Sequence, residues 1–126
     1  MRVLVCGSRT FSDPLAVYSV LFGLTATVGD DPDFVVIQGG ANGADRLAAN
    51  WADDFGCHSI EVPADWDRHG KAAGPIRNHK MLEHKPDVVW AFVDKPLVAS
   101  RGTNDMVVRA RSAGIPTYVV ERVREA

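Results

Sequence analysis

Three glycine-bearing turns in the chain combine small residues with hydroxyl and guanidinium groups. Glycine lets backbone amides approach an anion closely, and a helix N-terminus adds free N–H groups and the positive end of its dipole. A single turn of this kind is explained equally well by tight strand-to-helix packing, but three on one edge favour phosphate binding. The predicted ligand contacts in these turns are Gly7, Ser8, Arg9, Gly39, Gly40, Asn42, Gly43, Asp45, Arg101, Gly102 and Thr103.

A second informative segment, Pro63 to Asn78, is too polar and too rich in glycine to be core. An isolated cluster of charges is usually a solvated connector, but the predicted position beside the phosphate turns favours a loop that shapes a ligand site. In it, Trp66 offers a ring face for a base. Arg77, with Asn78 next to it, begins a helix and is expected to contact a phosphate or ribose.

The familiar phosphate and metal motifs are missing from the sequence. It contains no Gly-Lys-Ser/Thr of a P-loop, and the Gly39 to Gly43 spacing differs from the dinucleotide fingerprint. The four histidines lack the pairing of a zinc site, and Cys6 and Cys57 have no companion cysteine at ligand spacing. The sequence therefore predicts neither a metal nor a cofactor.

The elements that position these residues are short apolar runs alternating with helical patterns. Several runs are apolar at consecutive positions, which is typical of strands buried on both faces of a parallel sheet. The predicted strands are Val3 to Cys6, Phe34 to Gln38, Ser59 to Val62, Val88 to Phe92 and Thr117 to Val120. This pattern predicts an α/β fold: a single Rossmann-like three-layer domain over residues 1–126, with a mostly parallel sheet of about five strands. Ligands of such sheets bind beyond the carboxyl ends of the strands.

Four helices are expected between the strands. The first is capped by Asp13, has Pro14 at its first position and is expected to bury Leu15 and Phe22. The remaining three are expected from about Asn42 to Phe55, Pro75 to His84 and Gly102 to Ala113. In the second of these four helices, Phe55 is expected on the buried stripe.

Composition and charge exclude several classes of protein. The 126 residues are 46% hydrophobic and 24% charged, as in an ordinary globular domain, and 14 basic against 16 acidic residues give a formal charge of −2. A chain without basic excess makes nucleic-acid binding unlikely. No apolar stretch reaches the roughly 20 residues needed to span a bilayer, and we expect no membrane partner and a cytoplasmic location.

These motifs together resemble a known family. The runs that carry the resemblance are Cys6 to Arg9, Gly39 to Arg46, Pro63 to Asn78, Arg101 to Thr103 and Asp105-Met106. They are similar to the YspA-like branch of the SLOG superfamily, which includes the Lonely Guy phosphoribohydrolases and the DNA-processing protein A fold. The resemblance covers nearly the whole chain. It implies a Rossmann-like domain whose glycine turns bind a nucleotide or nucleotide-derived ligand, without specifying which. We expect a binding module or sensor for a ligand of the AMP, ADP-ribose or NAD type.

The Lonely Guy enzymes cleave the N-glycosidic bond of nucleoside monophosphates with a Pro-Gly-Gly-x-Gly-Thr-x-x-Glu motif and an arginine. Arg77, Gly102 and Thr103 match that arginine and the Gly-Thr, but Met106 stands where the motif has its glutamate. Methionine can neither stabilise positive charge on the ribose nor orient water.

Three functions and one assembly state follow from the resemblance as expectations. The first function is ligand binding, and the alternative is an N-glycosidase that uses Arg77 with a relocated acid, Asp45 or Asp67. A DNA-processing role is the lesser alternative. Because the Lonely Guy relatives are dimers, a homodimer is expected.

Overall fold

Five parallel strands form the centre of the fold. The structure is a computed structural model that describes residues 1–122 of the chain. The strands are β1 (Arg2–Gly7), β2 (Val35–Gln38), β3 (His58–Glu61), β4 (Val88–Val93) and β5 (Thr117–Glu121). Their order in the sheet is β3-β2-β1-β4-β5, and every neighbouring pair is parallel.

Helices connect the strands on both faces of the sheet. They are α1 (Pro14–Val28), α2 (Ala44–Asp54), α3 (Trp66–His69), α4 (Ala73–Glu83) and α5 (Arg101–Ser112), with 3₁₀ turns at Gly70–Ala72 and Leu97–Ala99. The predicted three-layer α/β fold is confirmed. None of the helices within residues 1–122 has the length and apolar character needed to cross a membrane.

Two hydrophobic cores separate the helices into layers. On one face, Val5 and Phe92 of the sheet pack with Val17 of α1 and Trp51 of α2. On the other face, β-strand residues such as Leu4 and Ile37 pack with Met81 of α4 and Met106 of α5. The strands are therefore buried on both sides, as their continuous apolar runs indicate.

Three large apolar side chains expected in the core lie at the surface. Leu15 is 75% exposed, Phe22 43% and Phe55 52%. The 15 residues of α1 include no charge, so the residue types did not distinguish the core side of this helix from its outer side; the side that faces the sheet carries Val17 and Leu21. Phe55 lies just beyond the last residue of α2, where its ring contacts Phe22 at 4.7 Å between centroids.

The segment Pro63 to Asn78, expected as a loop followed by a helix from Pro75, is largely helical. Asp65 caps α3 by accepting a hydrogen bond from Arg68 N at 3.1 Å, and Gly70 ends that helix at φ +55°. Helix α4 then begins at Ala73, with Pro75 in its first turn, where a missing N–H costs no hydrogen bond.

The topology creates a crevice between β1 and β4. From β1 the chain proceeds through α1 and α2 toward β2 and β3, whereas β4 lies on the opposite side of β1 and leads through α5 to β5. Connections that leave adjacent parallel strands in opposite directions open a space at the carboxyl ends of those strands. The turn after β1 and the start of α5 both border this space.

Candidate functional site

A cleft of about 320 Å³ lies at the carboxyl ends of β1 and β4. That volume is at the lower end of the roughly 300–1,000 Å³ typical of small-molecule sites. The turn after β1, the start of α2, α3 with α4, and the start of α5 supply its walls. Its lining residues are Cys6, Gly7, Ser8, Arg9, Thr10, Ala41, Asp45, Trp66, Gly74, Arg77, Asn78, Met81, Lys95, Ser100, Arg101, Gly102 and Thr103.

The turn after β1 is packed tightly against its neighbours. A β-carbon on Gly7 would overlap the carbonyl oxygen of Phe92 and lie 2.7 Å from the Ala44 β-carbon. Ser8 N donates to that Phe92 oxygen at 2.9 Å, and the buried Ser8 hydroxyl accepts from Asp94 N at 3.4 Å. Glycine is therefore required here by packing, and the turn is held in one position at the cleft wall.

In the glycine run between β2 and α2, the amides of Gly39, Gly40 and Ala41 are hydrogen-bonded within the chain. Asp45 Oδ2 accepts hydrogen bonds from Gly39 N at 3.1 Å and Ala41 N at 3.2 Å. Gly40 N donates to the Gln38 side chain, and Arg77 Nη1 donates to the Gly39 carbonyl at 3.1 Å. Of the amides predicted to hold a phosphate, Gly39 N therefore binds a carboxylate and Gly40 N a side-chain amide oxygen of the chain itself.

Burial alters the ionisation of the two titratable groups at the floor of the cleft. Desolvation raises the pKa of Asp45 to about 6, against the opposing effects of the Ala41 and Gly39 amides and the Arg77 guanidinium. The neighbouring Cys6 thiol is buried, and desolvation together with the Asp45 charge raises its pKa far above the usual range. Cys6 is thus unsuited to act as a thiolate nucleophile at neutral pH.

The start of α5 differs because its hydrogen-bonding groups remain open. Ser100, at the N-cap position, is only 6% exposed, yet its hydroxyl has no hydrogen-bond partner among residues 1–122 and caps no amide of the helix. Its carbonyl accepts from Asn104 N, which leaves the first amides of the helix, those of Arg101, Gly102 and Thr103, directed beyond the helix end. Unpaired donors and a buried hydroxyl at one position favour the binding of an anion.

Asn78 joins the start of α5 to the rest of the site. Its buried amide nitrogen donates to the Gly102 carbonyl at 3.1 Å and to Asp105 Oδ2 at 3.0 Å, while its oxygen accepts from Arg77 Nε at 3.2 Å. Arg77 in turn reaches Gly39. A continuous chain of hydrogen bonds therefore fixes α4 against two of the three glycine-bearing turns, those at Gly39 and Gly102.

An aromatic ring and a guanidinium group stand at the cleft opening. The Arg9 guanidinium lies over the Trp66 ring, 5.2 Å from its centroid, and Trp66 is 48% exposed. A β-carbon on Gly74 would be 3.5 Å from the ring edge, so the helix backbone passes close beneath it. Both side chains also border a second cavity of about 310 Å³, which shares Ala41 and Arg77 with the cleft.

The charge of the cleft is opposite in sign to that of the whole chain. Cations line it at Arg9, Arg77, Lys95 and Arg101, whereas Asp45 is the one acidic side chain among its described lining residues. Within residues 1–122, no group of three or more His, Cys, Asp or Glu side chains is arranged to hold a metal ion. The predominance of cationic side chains makes the cleft suited to an anion.

The predicted site residues divide into three groups by location. Ten line the cleft: Gly7, Ser8, Arg9, Asp45, Trp66, Arg77, Asn78, Arg101, Gly102 and Thr103. Gly39, Gly40 and Asn42 line the second cavity instead. Gly43 lines neither and packs against the Ser8-Arg9 backbone, and Asp67 is exposed on α3 outside both cavities.

Two further residues matter that the sequence reasoning did not select. Lys95 and Ser100 lie in the connection from β4 to α5 and line the cleft. A serine immediately before a helix is a familiar N-cap signal and marks the position. Met106, which stands where the Lonely Guy motif has its glutamate, is buried in the core between α5 and the sheet.

Three comparisons relate the chain to known proteins. Residues 1–69 match the YAcAr family, described as the YspA, cpYpsA-related SLOG family. The chain is similar to the Gene 61 protein of Mycobacterium phage D29, with 39% identity over 121 residues that cover 91% of this chain and 92% of that protein. It also resembles the X-ray structure of DNA processing protein A (DprA) from Streptococcus pneumoniae.

The likeness to DprA concerns the fold. The TM-score is 0.71 at 20% sequence identity, over 94% of this chain, and the chain spans about half (49%) of the length of that structure. The family match, by contrast, covers more than half of the chain and includes two of the three glycine-bearing turns. The chain therefore belongs to the YspA, cpYpsA-related SLOG family.

Proposed function

We propose that this protein binds an anionic, nucleotide-derived small molecule in the cleft between β1 and β4. The observation that carries the proposal is the start of α5, where the buried Ser100 hydroxyl and the first helix amides have no described internal acceptor or donor to satisfy them. Burying polar groups of this kind costs free energy unless a partner forms hydrogen bonds with them. A phosphate oxygen at this point would accept from the amides and from the hydroxyl together.

The surrounding side chains support a nucleotide rather than a free phosphate. Arg101 and Lys95 add positive charge beside the helix start, and Trp66 with Arg9 provides a flat surface at the opening. An aromatic face of this kind suits a nucleobase, because every base can stack on it. A nucleotide combines both requirements in one molecule.

The second cavity bears on the length of the ligand. It adjoins the cleft along Arg9, Ala41, Trp66 and Arg77, and its volume is nearly the same. A mononucleotide would fill one cavity, whereas a molecule of the ADP-ribose or NAD type would extend across Arg77 into the other. We therefore expect ADP-ribose or NAD to bind more tightly than AMP.

Thermal-shift titration with AMP, ADP-ribose, NAD, cyclic nucleotides and inorganic phosphate tests the proposal. A ligand present at 100 times its dissociation constant stabilises by about 2.7 kcal/mol, which corresponds to a rise of roughly 10 °C for a domain of this size. If no nucleotide raises the melting temperature at millimolar concentration, the proposal is wrong.

Ser100→Ala sharpens that experiment. The hydroxyl makes no described hydrogen bond in the free protein, so its removal is expected to leave the melting temperature unchanged or slightly higher. Binding should weaken by about 10- to 100-fold, because a hydrogen bond to a charged group is lost. Ser112→Ala, at the exposed end of the same helix, is the matched control.

Hydrolysis of an N-glycosidic bond is the second candidate, favoured by the place of Asp45. Asp67 lies outside the cleft, Asp105 is bonded to Asn78 and Arg109, and Asp45 alone of the proposed acids lines the cleft. Chromatographic release of free base from nucleoside monophosphates, abolished in Asp45→Asn, would establish it. Intact monophosphates after long incubation would exclude it.

A DNA-processing role is supported by the likeness of the fold to DprA, and a salt-dependent gel shift would test it.

A further inference from the structure

The outward side of α1 carries an uncharged stripe with the spacing of a helix-pairing seam. The stripe consists of Leu15, Ser19, Phe22 and Ala26, which are separated by four, three and four residues and are all exposed. Helices α2, α4 and α5 each carry three or four charged side chains, whereas α1 carries none. The outer side of α1 therefore lacks the charged side chains that usually face solvent on a surface helix.

The four residues occupy one narrow strip of the helix surface. At 100° per residue they fall within a sector of about 60°, on the side opposite Val17 and Leu21, which face the sheet. Alternating separations of three and four residues form the a and d positions at which two helices pack along their length. Helix α1 thus has one apolar side used by the core and another that is only partly covered, by Trp51 and Phe55 against Phe22, and leaves Leu15 75% exposed.

We propose that this stripe pairs with the α1 stripe of a second copy of the same chain in antiparallel orientation. In that arrangement Leu15 packs against Ala26 of the partner subunit, and Ser19 packs against Phe22 of the partner subunit. The two-fold axis repeats both contacts, which gives four layers. Each layer then combines one large and one small side chain, the combination that fills space between facing helices.

The parallel arrangement would not fill space in this way. It would place Leu15 against its own equivalent and Ser19 against its own, so crowded layers would alternate with empty ones. Antiparallel helices also align opposite ends of their dipoles. Because the stripe is uncharged, a second copy brings no like charges together along it.

The exposed area predicts a weak dimer. Phe55 extends the stripe, since its ring rests on Phe22, and an aromatic side chain has roughly 150–250 Å² of surface, of which about half is exposed at each of these two residues. Together with Leu15 this gives a contact below the roughly 1,200 Å² of stable complexes. We therefore expect association in the micromolar range and independence from ligand binding in the cleft.

Molar mass measured by sedimentation equilibrium, from about 5 µM to about 1 mM protein, tests the proposal. The mass is expected to rise from 13.7 kDa toward twice that value. Ala26→Lys places a charge in the stripe and should weaken association at least about tenfold. Thr27→Lys, one residue and about 100° away in the same helix turn, should leave it unchanged. A monomer at every concentration, or equal behaviour of the two lysine variants, would overturn the proposal.

An exchange of side chains tests the orientation and does not endanger the fold, because both positions are exposed. Leu15→Ala empties two layers and Ala26→Leu crowds two, so each alone should weaken association. The double variant restores one large and one small residue in each layer and should return to the wild-type mass profile. Failure of the double variant to recover association, with unchanged circular dichroism, would rule out the antiparallel pairing.

Discussion

The turn between β2 and α2 and the start of α5 look alike in sequence but differ in what their backbone groups bind. Both join a strand region to a helix, and both contain glycine. In the first, Asp45 accepts from two amides and Arg77 donates to the Gly39 carbonyl. In the second, the Ser100 hydroxyl has no described partner. In the first turn the amides of Gly39, Gly40 and Ala41 are bonded within the chain, whereas at the second the hydroxyl and the first helix amides have no described partner.

This difference shows that glycine content alone does not identify a phosphate site. What decides is whether an acceptor within the chain already occupies the free amides. Asp45 follows Gly43 by two residues and folds back onto the turn, where a carboxylate takes the place that an anion would take.

The largest effect is expected from Gly43→Ala in the completed turn. Gly43 has φ +81°, and a β-carbon there would overlap the Ser8 carbonyl oxygen and lie 2.7 Å from the Arg9 carbonyl carbon. Because backbone atoms must move to make room, we expect a loss of more than about 3 kcal/mol in the free energy of unfolding. Urea denaturation followed by circular dichroism measures this change.

Gly102→Ala, at the start of α5, is the matched control. No described residue lies within 4 Å of a β-carbon built there, and the position is helical. Alanine should therefore be neutral or stabilise by up to about 1 kcal/mol. Equal destabilisation by the two substitutions would contradict the distinction between a packed turn and an open one.

The next largest effect concerns the pH dependence of stability through Asp45. Its pKa is about 6 in the folded protein, against 3.8 for the free side chain, so the native state takes up a proton at a higher pH than the unfolded chain does. Ionised Asp45 therefore costs stability above pH 6, and the cost disappears as the pH falls from about 6 to about 4. Relative to Asp45→Asn, the wild type should gain about 2 to 3 kcal/mol over that interval.

The difference between the two proteins is the quantity to measure, by urea denaturation at pH 4 to 7.5. Asp31 and Asp94 have lowered pKa values and lose stability in acid, but they are present in both proteins and cancel. Asp53→Asn, at an exposed position of the same helix, should reproduce the wild-type profile. A wild type that loses stability relative to Asp45→Asn on acidification would contradict a raised pKa of Asp45 in the folded protein.

Removing the hydrogen bonds of Asn78, which link the two regions, should have an intermediate effect on the free energy of unfolding. Asn78 bonds to Gly102, Asp105 and Arg77, and is 4% exposed. Asn78→Ala leaves those groups without its amide, which should lower the free energy of unfolding by about 1 to 3 kcal/mol. Asn50→Ala, on an exposed part of α2, should change it by less than about 0.5 kcal/mol. Similar losses in both variants would mean that the network does not join the turns.

The sequence predicted the fold because strand signals are local. Runs such as Val88 to Phe92 are apolar at consecutive positions, and right-handed connections then leave few arrangements of five strands. Each observed strand agrees with its expected range within one residue at either end. The side of α1 that faces the core could not be identified from the sequence, because a helix with apolar residues all around contains no periodic signal.

The position of the cleft was predictable from the sequence, but the contacts within it were not. Parallel strands bring their following turns to one edge, so ten expected residues line the cleft. The internal role of Asp45 could not be predicted, because an aspartate two residues after Gly43 can bind the amides of its own turn or face a ligand, and the sequence is the same in both cases. Ser100 could have been found, since serine before a helix indicates an N-cap, yet its lack of a capping bond is a property of the folded geometry.

The smallest effect on stability is expected at the cleft opening, and this last prediction depends on the proposed binding. Arg9 is exposed, and its described packing is over the Trp66 ring, so Arg9→Ala should leave the melting temperature nearly unchanged. In the bound state Arg9 would hold the ring and attract the anion, so affinity for a nucleotide should fall by about 3- to 10-fold. Lys71→Ala, which removes an exposed cation outside both cavities, should leave affinity unchanged at the same salt concentration. If both variants lose affinity equally, the attraction is a general effect of charge and Arg9 has no specific place at the opening.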